Sequence, residues 1–251
     1  MRRLVGLVLV LALAPAPALA AYDLPPTSTD FDYQLGGDAT PPDNVGMVVR
    51  DRTSAAADGL YNVCYVNGFQ TQPEQKRFWH RHWRLVLKRD GKPVVDAAWG
   101  EWLLDIRTRA KRQALARIMG RWTRGCSADG YAGVEYDNLD SFSRSHGLIS
   151  RADAKKYAAA LVRKAHAADL AAGQKNWAEW DGTAVGYDFA IAEECGRWHE
   201  CGSYVDAYGD HVYVVEYRRK DFRRTCTHWG DRLAVVLRDL DLTPDGVHDY
   251  C

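Results

Sequence analysis

Short runs of almost uninterrupted apolar residues recur along this chain and constrain its fold more than any other feature. Most lack the polar alternation of a strand with one exposed face. Strands buried on both faces have this composition, and they occur in parallel sheets. Nine runs are strand candidates: Phe31–Leu35, Val45–Arg50, Leu60–Val66, Trp102–Ile106, Gly133–Asp137, Ala168–Gln174, Phe189–Glu193, Val212–Tyr217 and Leu233–Arg238.

Helical patterns lie between some of these runs. Ser150 and Asp153 match the S-x-x-D capping box that begins a helix, and apolar residues follow at the spacing of one helix face. Thr108–Trp122 has the same periodicity. Strands that alternate with helices form βαβ units, so we predict an α/β protein with a single (β/α)8 TIM-type barrel. Nine candidates compete for eight barrel positions, so one is an extra strand, a hairpin arm or not a strand.

Length and charge limit the possible functions. The chain has 251 residues, and a barrel of roughly 200–250 residues commonly forms one domain. Acidic and basic residues are equal in number, 33 each, which argues against a nucleic-acid partner. The sequence has neither a nucleotide-binding loop nor a tight cluster of metal ligands, so no cofactor is expected.

The first twenty residues match a secretory signal peptide. Arg2 and Arg3 precede an uncharged apolar run, Leu4–Ala14, and the segment Ala18–Ala20 offers the small residues of a cleavage site. We therefore predict a signal peptide at residues 1–20, a mature domain at residues 21–251 and a secreted, extracellular protein. An uncleaved membrane anchor is the alternative, although the apolar run is shorter than the ~20 residues that span a bilayer.

Six cysteines in a chain predicted to be exported indicate disulfide bonds. Fifteen pairings are possible from the number alone. Metal binding is less favoured because no C-x-x-C pair occurs. The pairing that the sequence separations favour is Cys195 with Cys201, Cys226 with Cys251 and Cys64 with Cys126.

Polar residues stand at the carboxyl ends of several predicted strands. The active site of a barrel lies at that rim, because every strand points its carboxyl end there. Two carboxylates from different strands can hydrolyse a glycosidic bond: one protonates the leaving oxygen, and the other attacks the anomeric carbon or activates a water. The strand-end residues are Asp105, Asp137, Asn138, Lys175, Asn176, Glu193, Glu194, Glu216 and Tyr217.

Other catalytic chemistries are less favoured by the motifs. His80 and His82 are separated by one residue, whereas zinc-binding pairs on a helix usually lie four positions apart, so no metal site is predicted. No G-x-S-x-G nucleophile elbow occurs. The cysteines are assigned to disulfide bonds, which argues against a thiol nucleophile.

Three segments together resemble glycoside hydrolase family 114, the endo-α-1,4-polygalactosaminidases. They are F-D-Y-Q-L-G-G at Phe31–Gly37, G-V-E-Y-D-N-L-D at Gly133–Asp140 and I-A-E-E-C at Ile191–Cys195. The likeness runs from about Phe31 to the C-terminus. It implies a barrel enzyme that cuts inside α-1,4-linked galactosamine chains with one aspartate and one glutamate.

The resemblance implies that this catalytic pair corresponds to Asp137 and Glu193, which stand in the matching motifs. The family typically has N-E-Q-C where this chain has A-E-E-C, so Ala192 replaces an amide and Glu194 adds a second carboxylate. Neighbouring strand residues point to opposite faces, which favours Glu193 over Glu194. We expect Asp137 to act as the nucleophile and Glu193 as the acid/base of a retaining enzyme.

The acidic residues around the predicted mouth suit a cationic, partly deacetylated galactosamine polymer. The predicted function is endo-acting, retaining hydrolysis of α-1,4-linked galactosamine or N-acetylgalactosamine polysaccharide. A non-catalytic extracellular polysaccharide-binding protein on the same barrel is the alternative. The expected partner is a polysaccharide, with no nucleic acid and no membrane after signal cleavage. Nine residues are predicted to bind substrate: Tyr33, Gln34, Asp32, Asp105, Asn138, Asp140, Lys175, Glu194 and Glu216.

Overall fold

The computed structural model describes residues 22–27 and 29–251 of the chain. The signal peptide predicted at residues 1–20 lies outside the described residues. Within the described part, no helix combines the length and the apolar character that crossing a membrane requires.

Eight parallel strands follow one another around a barrel, and each pairs with the next in chain order. The predicted fold class, an α/β barrel, is confirmed, and eight of the nine strand candidates are barrel strands. Most of these strands are rich in apolar residues because the sheet buries both of their faces. They are β1 (Asp30–Gln34), β2 (Val45–Asp51), β3 (Tyr61–Asn67), β4 (Gly133–Asp137), β5 (Ala171–Lys175), β6 (Phe189–Glu193), β7 (Val212–Glu216) and β8 (Ala234–Arg238).

The ninth candidate, Trp102–Ile106, is the one that is not a barrel strand, as expected when nine candidates compete for eight positions. Only Glu101–Trp102 forms a short antiparallel pair, with Val95–Asp96. A similar small pair joins Lys88–Arg89 to Lys92–Pro93. The leucines of the candidate are fully buried in the core of the long connection between β3 and β4. Their apolar character therefore reflects this local core and not a place in the main sheet.

The barrel is closed by side chains between its first and last strands. β1 and β8 lie side by side, but β8 pairs with β9 (His248–Tyr250), an antiparallel strand. The fully buried Arg238 of β8 crosses the gap: its guanidinium donates to Asp32 Oδ1 at 2.7 Å and to the Tyr33 carbonyl. The extra strand is therefore β9, which no apolar run predicted.

Helices cover the outside of the barrel, and both predicted helices are present. Thr108 begins the first long one by accepting a hydrogen bond from the Lys111 backbone N–H. Ser150 and Asp153 form the predicted capping box of the next. The helices are α1 (Lys76–Arg81), α2 (Arg109–Ala128), α3 (Arg151–His166), α4 (Cys195–Trp198), α5 (Cys201–Tyr208) and α6 (Arg219–Trp229), and single 3-10 turns lie at Pro73–Gln75, Trp83–Leu85, Ser141–Arg144 and Gly182–Val185.

Buried apolar side chains form two groups on opposite faces of the strands, because successive strand residues point in opposite directions. On β3, Val63 and Tyr65 belong to the group inside the barrel. Cys64 and Val66 belong to the group beneath the helices. Polar side chains that point into the barrel near the carboxyl end of a strand therefore lie at the barrel mouth.

Three disulfides cross-link the elements of the barrel. Cys64 of β3 bonds to Cys126 of α2, Cys195 bonds to Cys201, and Cys226 of α6 bonds to the C-terminal Cys251. This is the pairing that the sequence favoured. The last bond holds the end of the chain beside β9 against the outer helices.

Candidate active site

Asp137, Lys175 and Glu193 are the last residues of β4, β5 and β6. The residue that follows each of them has a positive φ between 52° and 66°. Side chains other than glycine seldom adopt this left-handed conformation. It turns the chain away sharply and leaves the last strand side chain at the barrel mouth. The residues with this conformation are Asn138, Asn176 and Glu194.

One buried lysine lies between the two carboxylates. The Lys175 side chain is 2% exposed, and its Nζ is 3.4 Å from Asp137 Oδ1 and 3.3 Å from Glu193 Oε2. The same Nζ donates to the Tyr33 hydroxyl at 2.7 Å. Burial alone would lower the pKa of Lys175, but the carboxylates of Asp137, Glu135 and Glu193 raise it above its usual value. The lysine is therefore a fixed positive charge in the site.

Hydrogen bonds hold both carboxylates in place. The Tyr65 hydroxyl donates to Asp137 Oδ2 at 2.9 Å, and the next backbone N–H donates to Asp137 Oδ1 at 2.6 Å. Asn176 Nδ2 donates to Glu193 Oε2 at 3.0 Å, and the Tyr217 hydroxyl donates to Glu193 Oε1. Burial and the adjacent carboxylates raise the pKa of Tyr65 and of Tyr217 far above the usual value, so both hydroxyls are donors.

A second layer of polar groups lies beneath the lysine. Glu135 precedes Asp137 by two positions on β4, so its side chain points to the same face. Its Oε1 accepts from the Tyr33 hydroxyl at 2.5 Å and lies 3.9 Å from Lys175 Nζ. Its Oε2 is buried without a hydrogen-bond partner among the described residues. Burial raises the pKa of Glu135 to about 7, although Lys175 opposes this shift.

A cleft of about 840 Å³ opens above the carboxylates. Eleven acidic side chains line it, against three basic ones, Arg144, Arg151 and Lys175. A concave surface lined by one sign of charge concentrates ligands of the opposite sign. The cleft therefore attracts cations.

Two exposed tryptophans line this cleft. The Trp99 residue, in the connection between β3 and β4, is 54% exposed, and Trp198, at the end of α4, is 59% exposed. The guanidinium of Arg197 lies 4.5 Å from the centre of the Trp198 ring. Large exposed aromatic surfaces commonly mark binding sites. The Trp99 indole and the face of Trp198 that Arg197 does not cover can stack on the apolar faces of sugar rings.

Glu101 forms part of the cleft wall next to Asp137. Asn67 Nδ2 donates to both Glu101 oxygens, at 2.8 and 2.9 Å, and Asn138 Nδ2 approaches Oε2 at 3.4 Å. Burial raises the pKa of Glu101 to about 7, and the neighbouring carboxylates of Asp137 and Asp96 add to the shift. The pKa of this glutamate therefore lies nearer to neutrality than that of an ordinary glutamate.

Four of the nine residues predicted to bind substrate line the cleft. Asp140 is paired with Arg144, with 2.7 Å between Oδ1 and a guanidinium nitrogen. Glu194 is paired with Arg197, also at 2.7 Å. The four residues are Asn138, Asp140, Lys175 and Glu194. Asp137 and Glu193, predicted as the catalytic pair, line the same cleft.

Three of the remaining predicted residues belong to β1. Tyr33 points into the barrel and lies beneath Lys175, whereas its neighbours Asp32 and Gln34 point to the other face. Asp32 is bound by Arg238, and Gln34 Nε2 donates to Asp32 Oδ2 at 2.7 Å. Asp32 and Gln34 therefore lie in the barrel seam and not in the cleft.

Asp105 and Glu216 also lie away from the cleft. Asp105 is not at a barrel strand end, and it forms ion pairs with Arg107 at 2.8 Å and with Lys111 near the start of α2. Glu216 is on the outward face of β7, where Oε1 accepts from the backbone N–H of residue 196 at 2.8 Å and from Thr225 at 3.0 Å. Asp105 was placed at the rim because Trp102–Ile106 was taken for a barrel strand, and Glu216 because strand-end position alone does not give the direction of a side chain.

Glu193 and Glu194 both line the cleft. Strand alternation, used to favour Glu193, applies only within the strand, and β6 ends at Glu193. The left-handed conformation of Glu194 returns its side chain to the rim. The two differ in their partners, because Glu193 faces Lys175 and Glu194 is paired with Arg197.

Several residues of the site were not assigned from the sequence. Glu135 lies two positions before Asp137 on β4, and Tyr65 points inward on the neighbouring β3. The alternation of strand side chains was therefore the signal that could have identified them. Tyr217 and Asn176 were noted only as polar strand ends. Glu101 lies in a two-residue strand, for which no periodicity exists.

The two histidines considered as metal ligands lie elsewhere. His80 stacks on Trp83 with 5.3 Å between ring centres, and His82 lies 4.5 Å from the Phe78 ring. Across residues 22–27 and 29–251, no group of three or more histidine, cysteine, aspartate or glutamate residues is arranged to hold a metal ion.

A parallel barrel with an aspartate and a glutamate at its carboxyl-end rim, inside a cleft, has the arrangement of barrel glycosidases. A model of the glycoside-hydrolase family GH114 matches residues 12–251. The chain belongs to this family and is a glycoside hydrolase, as the sequence motifs predicted.

Solved structures with the same fold support the architecture. Ega3 of Aspergillus fumigatus, in complex with galactosamine, superposes with a TM-score of 0.72 at 19% identity, over 94% of this chain and 100% of that one. The glycoside hydrolase domain of PelA from Pseudomonas aeruginosa gives 0.63 at 17% identity, over 88% and 98%. A maltogenic α-amylase, AmyB of Thermotoga neapolitana, gives 0.53 at 9% identity, over 84% and 67%. No curated protein matches the chain.

Proposed function

We propose that this glycoside hydrolase cleaves α-1,4-linked galactosamine polymers, with Asp137 and Glu193 as its catalytic pair. One observation carries the proposal: two carboxylates from separate strands lie 3.4 and 3.3 Å from the same Lys175 Nζ, in the floor of an acid-lined cleft. Membership of GH114 and the galactosamine bound to the structurally similar Ega3 support this substrate class.

Asp137 acts as the nucleophile and Glu193 as the acid/base in this proposal. Because each carboxylate oxygen is within 3.4 Å of one Nζ, the two oxygens are less than about 7 Å apart. The facing oxygens are therefore near enough for the ~5–5.5 Å carboxyl separation of retaining enzymes. Hydrolysis with retention of the anomeric configuration is the outcome that we propose.

Substrate charge follows from the lining of the cleft. Galactosamine units without acetyl groups carry ammonium charges, and the excess of acidic side chains in the cleft attracts them. Added salt screens such attraction. The Michaelis constant for a deacetylated polymer should therefore rise with ionic strength, while that for a fully acetylated polymer should change little.

Internal cleavage fits the placement of the exposed indoles. Trp99 precedes β4, which carries Asp137, and Trp198 follows β6, which carries Glu193. The two rings thus lie in different segments of the cleft lining. Sugar rings stacked on both would belong to one chain that passes over the carboxylates, so the enzyme would cut within the chain.

An extracellular location is the remaining part of the proposal. Three disulfides bond all six cysteines, and such bonds form and persist in oxidising compartments. The signal peptide predicted at residues 1–20, with a mature domain from residue 21, gives the route of export.

Incubation with α-1,4-galactosamine oligomers of graded acetylation tests the proposal. Mass spectrometry should detect internal products, and proton NMR of the first product should show the α-anomer. Asp137→Asn and Glu193→Gln are the matched variants, because each removes a charge with little change in shape. Binding of the oligomers without cleavage would instead favour a polysaccharide-binding protein, and cleavage by both variants would remove the pair from the mechanism.

A further inference from the structure

The lysine at the centre of the site is too buried to serve mainly as a substrate contact. Lys175 is 2% exposed, and its Nζ has almost equal distances to Asp137 and Glu193, 3.4 and 3.3 Å. Its position is fixed from below, because the Tyr33 hydroxyl accepts from Nζ at 2.7 Å and donates to Glu135 at 2.5 Å. These groups form one continuous chain from Glu135 to the two carboxylates.

We propose that Lys175 is a positioning residue that balances the negative charge of the pair in both steps of the reaction, and that Tyr33 and Glu135 hold its ammonium midway between the two carboxylates. This inference rests on the proposed function, because it requires a retaining mechanism in which Asp137 is the nucleophile and Glu193 is the acid/base.

Charge moves across the pair during such a reaction. In the first step Glu193 gives its proton to the glycosidic oxygen, the bond from that oxygen to the anomeric carbon breaks, and Asp137 forms an ester with that carbon. In the second step a water gives a proton to Glu193, its oxygen bonds to the anomeric carbon, and the ester bond to Asp137 breaks. The pair carries one negative charge throughout, first on Asp137, then on Glu193, then again on Asp137.

A cation at equal distance from both groups stabilises each of these states without moving. Fixed charges that need no reorganisation lower barriers more than mobile ones. An ammonium bound to only one carboxylate would favour one step and oppose the other. The near-equal distances in this site avoid that imbalance.

Glu135 explains how the ammonium stays central. It is fully buried and is 3.9 Å from Lys175 Nζ, so it attracts the lysine toward the barrel interior and away from either carboxylate. The Tyr33 hydroxyl lies between Glu135 and Lys175 Nζ and fixes how far the ammonium extends toward the barrel mouth. Among the described residues, Oε2 of Glu135 has no hydrogen-bond partner, and burial raises the pKa of this carboxyl to about 7, so its attraction for the ammonium strengthens as the pH rises through neutrality.

The test uses an aryl α-glycoside of a galactosamine oligomer, for which a burst of the phenol reports the first step and the steady state reports the second. Lys175→Met retains the length of the side chain and removes its charge. We expect both rate constants to fall by about 100-fold or more, the scale found when one preorganised charge-stabilising group is removed. A slowing of only one step, or a higher KM with unchanged kcat, would overturn the inference.

Variants of Tyr33 and Glu135, the groups beneath Lys175, provide a second test in case Lys175→Met does not fold. Tyr33→Phe should lower kcat by about 10-fold and shift the pH–rate profile. Glu135→Gln retains an acceptor for Tyr33 and removes a negative charge, so the alkaline limb of the profile should move to lower pH. Tyr136→Phe is the control: Tyr136 is also fully buried, but its hydroxyl bonds to Thr123 outside the barrel, and its profile should match that of the unaltered protein.

Failure of this inference is distinct from failure of the proposed function. If the unaltered protein releases no product from galactosamine substrates, or if Asp137→Asn remains active, the proposed function is wrong. If Asp137→Asn and Glu193→Gln are inactive while Tyr33→Phe and Glu135→Gln have the pH profile of Tyr136→Phe, the pair stands and the role of the lower groups is refuted.

Discussion

Two buried clusters of charge begin at adjacent residues of β1. Asp32 belongs to the seam, where the Arg238 guanidinium donates to Asp32, to the Val247 carbonyl at 3.0 Å and to the Thr243 carbonyl at 3.0 Å. Tyr33 belongs to the mouth, where one lysine faces three carboxyl groups and an oxygen of Glu135 has no partner.

The difference lies in how completely each charge is satisfied. In the seam, Arg238 and Asp32 are both fully bonded: Asp32 accepts from Arg238, Gln34 and His248, and the other guanidinium nitrogens donate to backbone carbonyls, which is what a buried ion pair needs to persist. The mouth contains more acid than base and opens to the cleft. Burial of charge is common to both clusters, so an uneven balance of charge, and not burial, distinguishes the cluster that we propose to be catalytic.

Removal of a mouth carboxylate should have the largest effect. Asp137→Asn and Glu193→Gln should each lower kcat by about 10²–10⁴-fold, the usual contribution of such groups, and relieve some repulsion among the carboxyl groups. Kinetics on galactosamine oligomers, together with urea unfolding, would check this. A variant that loses stability but not activity would place that carboxylate with the seam and not with the mouth.

Removal of the seam arginine should affect stability instead. Arg238→Met leaves Asp32 buried without its cation, and we expect a loss of about 3–5 kcal/mol in the free energy of unfolding. The double variant Asp32→Asn with Arg238→Met is the control, because it removes both charges and should recover part of the loss. Equal destabilisation of the single and double variants would mean that charge balance does not hold the seam.

Loss of the disulfide that holds β9 beside the seam should have the next largest effect on the free energy of unfolding. Replacement of Cys226 and Cys251 by alanine opens a bond between residues 25 positions apart, with an expected loss of about 2–4 kcal/mol. Replacement of Cys195 and Cys201, only 6 positions apart, should cost less because a shorter loop restricts the unfolded chain less. Thermal unfolding of the two alanine pairs gives the order, and the reverse order would refute this account.

The smallest expected effect is a pH dependence of the free energy of unfolding, which arises from two glutamates of the mouth. The pKa of Glu101 and of Glu135 is raised to about 7 in the folded protein, so folding favours their protonated forms. The contribution of these two groups to stability is therefore fully present below about pH 4.5 and is lost as the pH rises toward 7, by about 1–3 kcal/mol for each group.

Glu101→Gln should flatten this fall, and Glu179→Gln, at an exposed rim position, should not. Melting temperatures between pH 4.5 and 7.5 provide the measurement. If both variants keep the full slope, the pKa of Glu101 is not raised in the folded protein.

Sequence patterns predicted the barrel because parallel strands must be apolar on both faces. The same patterns predicted that Asp137, Lys175 and Glu193 lie at one rim of the barrel, since each of them ends a strand. Asp32 and Gln34 were misplaced because the sequence pattern does not reveal which face of β1 points inward. Trp102–Ile106 resembled a strand because a local core needs the same residue types, and β9 was missed because its three residues are all half-buried and include no apolar run.

The seam has a consequence for solubility. A sheet whose first and last strands share no backbone ladder keeps two edges, and an uncovered edge can add a strand from another molecule. β9 occupies the edge of β8, and the disulfide to Cys251 holds it there. A molecule without this C-terminal strand would retain the groups that we propose to act on sugar but expose the edge, so its defect would be self-association on storage and not a slower reaction.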